Sequence, residues 1–516
     1  MNGFDAIVIG SGLGGLSGAA LLARAGQRVL VLERNAEFGG AATVFRHGTL
    51  AIEASLHETS LLGQDEPRHG LLHRLGVADR VSLVPIPELY EVRGKALPTP
   101  FRLPDGFDAA VEAGVAAFPA HAEGVRRYFR ALRGVARSFD ALSHQHEHRV
   151  TELLGAAFAG DLWQLLRRTR WSTLHMLQDC FGADPLPPLA LAANLCYLHD
   201  DPAELWFPLF AIAQAGYLRD GGHYIVGGSR SLTDALVAVI RDHGGHVVAR
   251  AAATGIELDA DGEVAAVRWL DADGNAQSQP TRTVLGNAAP ERLEAMLPAA
   301  AAARFGEPHR GFAPSISLFT VSLGVDRPPR EFGVSAYSTF LLPDWLTRLE
   351  QMPQAAGLLG ADPGERLPTV ALVDYSRIAS GLNADGLHLM SLTGVDRLAN
   401  WQGLDAATVQ ARKRRWIDAL LADLDRHYPG IAGSVRQSEM ATAATMQHYL
   451  GTPGGATYGY APTVARFARP PSAKSAVPGL FIASAYTTSG GFEGALIGGA
   501  MAAHAARAHL ARHPLA

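Results

Sequence analysis

The sequence predicts an α/β protein: a Rossmann-type parallel sheet that grips a dinucleotide, with an α+β domain threaded through it in pieces. Two observations predict this. One is a strand–glycine turn–helix–strand unit at the start of the chain, and the other is the return of that texture near residues 221–290 and 479–510. In the first unit Ala6-Ile7-Val8-Ile9 is a short apolar strand, residues 14–25 an Ala/Leu-rich helix, and Arg28-Val29-Leu30-Val31-Leu32 the next strand. The helix stops at Ala25-Gly26, since glycine takes the left-handed conformation that ends helices. Strands apolar at nearly every position, one on each side of a helix, belong in a parallel sheet covered on both faces.

The second occurrence begins with Gly221-Gly222 and Gly227-Gly228 and continues as a helix over Ser231–His243 and a strand over His246–Ala249. A hairpin follows, centred on Asp259-Ala260-Asp261-Gly262, where Asp-Gly is a strong turn signal. Thr283-Val284-Leu285 is a further buried strand and runs out into Gly286-Asn287-Ala288-Ala289. In the third occurrence the strand Gly479–Ala483 enters a glycine-rich turn and a small-residue helix from about Gly494 to Leu510. Between these pieces residues 107–180 are helical, 185–220 apolar and aromatic, and 313–323 and 369–395 strand-like. A long helix over Ala406–His427 carries Arg412-Lys413-Arg414-Arg415, read as a solvated face.

A chain of 516 residues exceeds one simple core, so two domains are expected. Residues 1–85, 221–300 and 440–516 form the dinucleotide domain, and 86–220 and 301–439 the substrate domain. A net charge of -5 gives no electrostatic reason to expect nucleic acid. Cys180 and Cys196 have neither CxxC nor zinc spacing and read as buried thiols in a reducing cytoplasm. The apolar stretch 4–10, broken by Asp5 and followed by a glycine turn, reads as a strand rather than a secretory signal. No window reaches the roughly 18 apolar residues of a spanning helix. Contact with a membrane surface is expected only as a way of collecting a lipid substrate. His144 and His148 share a helix face but have no third ligand nearby, so no metal is expected.

The opening turn, Gly10-Ser11-Gly12-Leu13-Gly14-Gly15, follows a strand, opens a helix, and has Glu33 about 20 residues on at the end of the second strand. Gly10 permits the tight turn, Gly12 lets backbone approach a pyrophosphate, and Gly15 lets helix and strand pack closely. The helix N-terminus offers N–H groups and a positive dipole end to phosphates. Glu33 can accept hydrogen bonds from a ribose diol and would repel the extra phosphate of NADP.

After Glu33-Arg34 comes a second glycine pair in Gly39-Gly40-Ala41-Ala42, which resembles the flavoprotein extension along the pyrophosphate and ribitol. Ile52–Thr59, with its Ser55-Leu56-His57 order, is similar to a segment that passes beside the flavin ring. Tyr224–Ser231 through Gly244–Val248 resembles the segment whose strand touches the adenine end, and Gly451-Thr452-Pro453-Gly454-Gly455-Ala456-Thr457-Tyr458-Gly459-Tyr460 and Gly490-Gly491-Phe492-Glu493-Gly494-Ala495-Leu496 complete the pattern. Over most of its length the chain thus resembles the phytoene desaturase, carotenoid isomerase and retinol saturase superfamily of two-dinucleotide-binding-domain flavoproteins. The resemblance implies FAD as cofactor, held by Gly10, Gly12, Gly14, Gly15, Glu33, Arg34, Gly39, Gly40, Ala41, Ala42, Val248, Asn287, Ala485, Glu493, Gly494, Ala495 and Leu496. Ser484-Ala485 stands where many flavoproteins have an Asp, and Glu493 is the candidate to take over its ribitol contact. A helix starting near Gly494 would aim its positive end at the part of the flavin that becomes negative on reduction.

The implied substrate is a long apolar polyene or isoprenoid, saturated, isomerised or desaturated by hydride transfer with flavin N5. Such chemistry asks the protein mainly for orientation and a dry channel. His57 is the candidate polar group beside the flavin, as an acid or as a dipole placing the substrate, and Glu53 and Glu58 either orient it or face solvent. Trp206, Phe210, Tyr458, Tyr460 and Tyr486 are candidate substrate walls. Two alternatives stay open: a reductive polyene cyclase of the polycyclic tetramate macrolactam type, and a flavin amine oxidase. No second GxGxxG suits a nicotinamide cofactor, so the electron donor or acceptor is a partner, a transient NAD(P)H, a quinone or oxygen.

Overall fold

The computed structural model describes residues 3–60, 69–143, 163, 165–383, 386–467, 472–488 and 490–512. The His144–His148 run lies outside the described residues, and among those residues no group of three or more His, Cys, Asp or Glu could hold a metal ion. Strand β1 (Ala6–Ile9), helix α1 (Leu13–Arg24) and strand β2 (Val29–Leu32) open the chain, and both strands are buried at every residue. They sit in a five-stranded parallel sheet ordered Leu480–Ile482, Val284–Gly286, β1, β2, His246–Val248. Three distant stretches of sequence therefore build one sheet, as their shared apolar texture predicts.

The final helix, Gly491–Arg512, lies against α1. Small residues make this possible: a Cβ on Gly499 would overlap the Gly14 carbonyl, and one on Gly14 would overlap the Ala483 carbonyl. Ser17 Oγ fixes the pairing by donating to Leu496 O at 2.8 Å. This helix starts three residues before the expected Gly494, because Gly490 and Gly491, both left-handed (φ +83° and +70°), turn the chain into it. Helix Ser229–Asp242 also begins earlier than expected. The Glu53 carboxylate, brought from another segment, takes the N–H and hydroxyl of Ser229.

The second sheet has seven strands, in the order Val435–Ala441, Ser317–Val325, His388–Asp396, Val370–Asp374, Ser338–Leu341, Tyr90–Arg93, Phe101–Leu103. The last two strands and Ser338–Leu341 are three or four residues long, too short to show a period in the sequence. One face packs Phe319, Val321 and Leu392 against Trp416, Leu420 and Leu424 of helix Ala406–His427. Alternate residues, including Leu318, Thr320, Thr393 and Val395, face the other way. Helices Ala122–Ser143 and Phe207–Asp220 contribute to a third layer, whose core includes Tyr128, Phe129, Phe207 and Phe210. Among the described residues no helix is long and apolar enough to cross a membrane.

Gly499→Ala should cost about 1–3 kcal/mol, because backbone rather than a flexible side chain fills the space. Gly357→Ala, which meets nothing within 4 Å, should be neutral. Thermal denaturation of the two variants measures the difference.

Candidate functional site

The turn after β1 leaves no room for side chains. Gly10 has φ +94°, a Cβ there would lie 2.6 Å from Asn287 O, and one on Gly12 2.5 Å from Asn287 Oδ1. A Cβ on Gly15 would overlap Gly10 O, which is the close helix–strand packing assigned to it. The first intrahelical bond runs from Leu16 N to Gly12 O at 3.0 Å, so the N–H groups before it are available to a ligand. Asn287 closes the turn from the neighbouring strand, donating its backbone N–H to Ile9 O (2.7 Å) and its Nδ2–H to Ala483 O (2.7 Å).

Glu33 is buried beside this turn. Its Oε2 accepts from Ser11 N (2.9 Å) and Ser11 Oγ (2.7 Å), and its Oε1 from Asn35 N (2.8 Å). A carboxylate offers about four acceptor positions, so one remains for a further donor. Gly39 and Gly40 adopt φ +109° and +61° and lie on the turn: Gly39 N donates to Ser11 O at 3.0 Å, and a Cβ on Gly40 would sit 3.3 Å from Gly12 Cα. Ala41 and Ala42 continue the strap, their carbonyls taken by Ser55 Oγ and Thr233 Oγ1. Val248 O accepts from Glu33 N at 2.9 Å. Arg34 has a different partner set, donating Nη2–H to His448 O and Tyr449 O, both at 2.8 Å. The glycine cradle, the helix N-terminus and the remaining acceptor position of Glu33 fit the pyrophosphate and ribose of a dinucleotide.

Residues 452–460 and 484–496 come together at the other end. A Cβ on Gly459 would lie 3.1 Å from the Ala485 carbonyl, and one on Gly490 2.8 Å from Tyr458. Ser484 Oγ is buried without a partner. Glu493 Oε1 accepts from Ser60 Oγ at 2.9 Å, and Gly494 N donates to Gly490 O, within the first turn of the helix that Ala495 and Leu496 continue. Tyr460 and Tyr486 pack edge-to-face at 4.8 Å beside Ala289 and Phe312. Arg466, which gives no sequence signal, is buried next to them and donates to Tyr486 O and Thr488 O, pinning the loop before the helix.

His57 stands between the seven-stranded sheet and the residues 193–197 turn. Its Nδ1 is 2.8 Å from Tyr197 Oη and its Nε2 3.3 Å from Thr393 Oγ1, while Tyr337 Oη donates to its carbonyl at 2.6 Å. Burial lowers the imidazole to about 4, so it is neutral at physiological pH. Tyr197 and Thr393 also line a narrow cavity, whose wall is otherwise mostly apolar. Cys196 belongs to this wall too. Neither tyrosine nor threonine carried a motif, because the sheet register and the helical layer, not local sequence, bring them to His57.

Glu53 and Glu58 neither touch His57 nor face solvent. Glu53 accepts from Ser55 N, Leu56 N, Ser229 N, Ser229 Oγ and Tyr224 Oη at 2.7–3.2 Å. Glu58 points to the opposite side of the segment, where a Cβ on Gly222 would lie 3.1 Å from its Oε2. Burial, with Asp105 and Glu88 nearby, pushes Glu58 up to about 8, and burial and Glu88 push Asp105 up to about 6. Among the expected substrate walls, Trp206 stacks on Phe467 at 3.6 Å, Tyr458 N donates to Ser315 Oγ, and Phe210 is in the helical core. None of the five borders the cavity beside Tyr197.

Residues 13–507 match the family described as flavin containing amine oxidoreductase. Prolycopene isomerase 2 of an Oncidium hybrid cultivar is 25% identical over 89% of this chain and 76% of its own length. All-trans-retinol 13,14-reductase of Macaca fascicularis is 23% identical over 88% and 77%. The neurosporene-forming phytoene desaturase of Rhodobacter capsulatus is 24% identical over 96% and 92%. In fold, the chain is similar to cyclohexylamine oxidase from Brevibacterium oxydans, with a TM-score of 0.59 at 17% identity, covering 99% of this chain and 100% of that one.

Two measurements probe the site. Glu33→Ala leaves the Ser11 and Asn35 donors unmatched and should lower the flavin retained on purification severalfold, read as flavin absorbance per protein. Glu58 holds its proton to about 8 when folded but releases it near 4.5 when unfolded. The folded protein thus binds the extra proton between those values, and stability falls as pH rises through them. From about pH 7 to 8, where Glu58 is itself losing its proton in the folded state, its contribution should fall by about 1 kcal/mol. Glu58→Gln should flatten that decline in a series of thermal melts.

Proposed function

Because this chain belongs to the flavin-containing amine oxidoreductase family and is an FAD-dependent oxidoreductase, we propose that it transfers hydride between its flavin and a long apolar polyene or isoprenoid. FAD supplies a hydride acceptor and donor at N5. The protein supplies what that exchange needs around it. The turn Gly10–Gly15, Glu33, Gly39-Gly40 and the helix starting at Gly491 would hold the cofactor's two ends.

The observation that carries the reading is the neutrality of the site. His57 is an uncharged imidazole between two hydroxyl groups, and burial keeps Tyr197 and Tyr337 protonated. The one charged side chain in the cavity wall, Asp200, is paired with Arg397 at 3.1 Å. A conjugated chain spreads the charge of hydride transfer over many carbons, so it asks for a dry, shaped wall rather than a counter-charge. Relatives named for prolycopene, retinol and phytoene support the same substrate class.

The direction of transfer is part of the proposal's test. Saturation adds two hydrogens, desaturation removes two, isomerisation conserves them, and hydride-triggered closure, as in polycyclic tetramate macrolactam formation, yields new rings. A second reading, amine oxidation, is favoured by the family's description and by the cyclohexylamine oxidase fold.

The purified protein should be yellow, and mass spectrometry of its organic extract should contain a polyene or isoprenoid. Peroxide release with cyclohexylamine, and no lipid in the extract, would sink the polyene reading in favour of the amine. His57→Ala should lower turnover on the order of 10–100-fold while flavin content stays unchanged, since misplacing the substrate costs rate rather than cofactor.

A further inference from the structure

The cavity beside Tyr197 holds more polar capacity than a hydrocarbon can use. Its wall is apolar at Leu318, Met352 and Val395, yet Tyr197, Thr369 and Thr393 line it as well. Thr369 is buried just before strand Val370–Asp374, and its Oγ1 has no hydrogen-bond partner. The sheet register explains its place. Ala371 pairs with Thr393 and Leu318 with Val395, so Thr369 lies one pleat repeat beyond Ala371 on the face that carries Leu318, Thr393 and Val395. A buried hydroxyl left unpaired is destabilising, and one in the wall of a cavity is satisfied by whatever enters.

The neighbouring hydrogen bonds add a second donor. Thr320 Oγ1 and Thr393 Oγ1 are 3.1 Å apart, Thr393 Oγ1 and His57 Nε2 3.3 Å, and His57 Nδ1 and Tyr197 Oη 2.8 Å. Hydroxyl groups both donate and accept, and a neutral imidazole does one at each nitrogen. The chain can therefore be polarised from Thr320 toward Tyr197, with Thr393 O–H donating to Nε2 and Nδ1–H donating to the phenol oxygen. In that polarity the hydrogen of Tyr197 is released to a group in the cavity.

We propose that the substrate end seated here carries an oxygen, as hydroxyl or carbonyl, held by Thr369 Oγ1 and Tyr197 Oη. The substrate is then an oxygenated polyene or isoprenoid, not a plain hydrocarbon. This rests on the polyene reading and narrows it. A site built to hydrogen-bond a substrate oxygen rejects the analogue without it far more strongly than an apolar wall distinguishes one methylene.

The test uses the FAD-loaded enzyme titrated with all-trans-retinol and with axerophthene, which has a methyl in place of the hydroxymethyl group, following polyene fluorescence. Retinol should bind at least about tenfold more tightly. Thr369→Val should remove most of that preference by weakening retinol and sparing the hydrocarbon, and Tyr197→Phe should act in the same direction. Thr369→Ser, which keeps the hydroxyl, should retain the preference. Equal binding of the two probes by the unmodified enzyme overturns the proposal. So does an undiminished preference in a folded, flavin-bound Thr369→Val, which would leave Thr369 as a hydroxyl satisfied by water. If neither probe binds while FAD does, the polyene reading itself fails and the proposal with it.

Discussion

One buried carboxylate holds the two halves of the site in register. Glu53 collects five donors from three parts of the chain: two N–H groups of its own segment, the N–H and hydroxyl of Ser229 at a helix start, and the Tyr224 phenol. Burial alone would push such a group toward its neutral form, and the donors oppose that. An acceptor so fully used cannot move without leaving several buried donors unpaired, each costing about 1–3 kcal/mol. Residues 53–58 are therefore fixed relative to helix Ser229–Asp242. His57, four residues on from Glu53, is placed by that knot together with the Tyr337, Tyr197 and Thr393 bonds it makes itself.

The knot matters because the site is assembled from both sheets. The parallel sheet ends in turns whose glycines let Asn287 and Ala483 touch the opening helix. The seven-stranded sheet turns its heavier apolar residues toward helix Ala406–His427 and leaves Leu318, Thr320, Thr393 and Val395 on the opposite face. His57 reaches that second face through Thr393 and the helical layer through Tyr197. A shift of either sheet would break one of those bonds, so the packing that stabilises the fold also sets the chemistry of the imidazole.

The sequence made the first half of this legible and the second half opaque, for a physical reason. Turns and helix starts need particular residues at fixed offsets, so Gly10, Gly15 and Glu33 can be read from spacing, and Gly39 from its resemblance to the flavoprotein extension. The helix over Ala406–His427 is equally plain because its apolar period runs for 22 residues. Tyr197, Thr369 and Thr393 have no such constraint. They become neighbours of His57 through cross-strand register and the seating of the residues 193–197 turn, which no local pattern encodes. Of the aromatic residues expected as substrate walls, Phe210 lies in the helical core and Trp206 stacks on Phe467, while Tyr458 lies near Tyr197 and Cys196.

His57 and Glu58 show how the chain keeps its site neutral. The two are adjacent, and their side chains leave the segment on opposite sides. The imidazole faces Tyr197 and Thr393, whereas the carboxyl faces Gly222 near Asp105. A carboxylate beside His57 would favour the imidazolium and bring charge and water into the cavity. Placed behind the segment, Glu58 instead meets other acids and burial, both of which favour its protonated form. Neither group then carries charge at neutral pH, though each is of a type that ordinarily titrates below or near it. What remains in the cavity wall is apolar surface, the hydroxyl groups of Tyr197, Thr369 and Thr393, and Asp200 paired with Arg397, with the neutral His57 ring behind Tyr197 and Thr393.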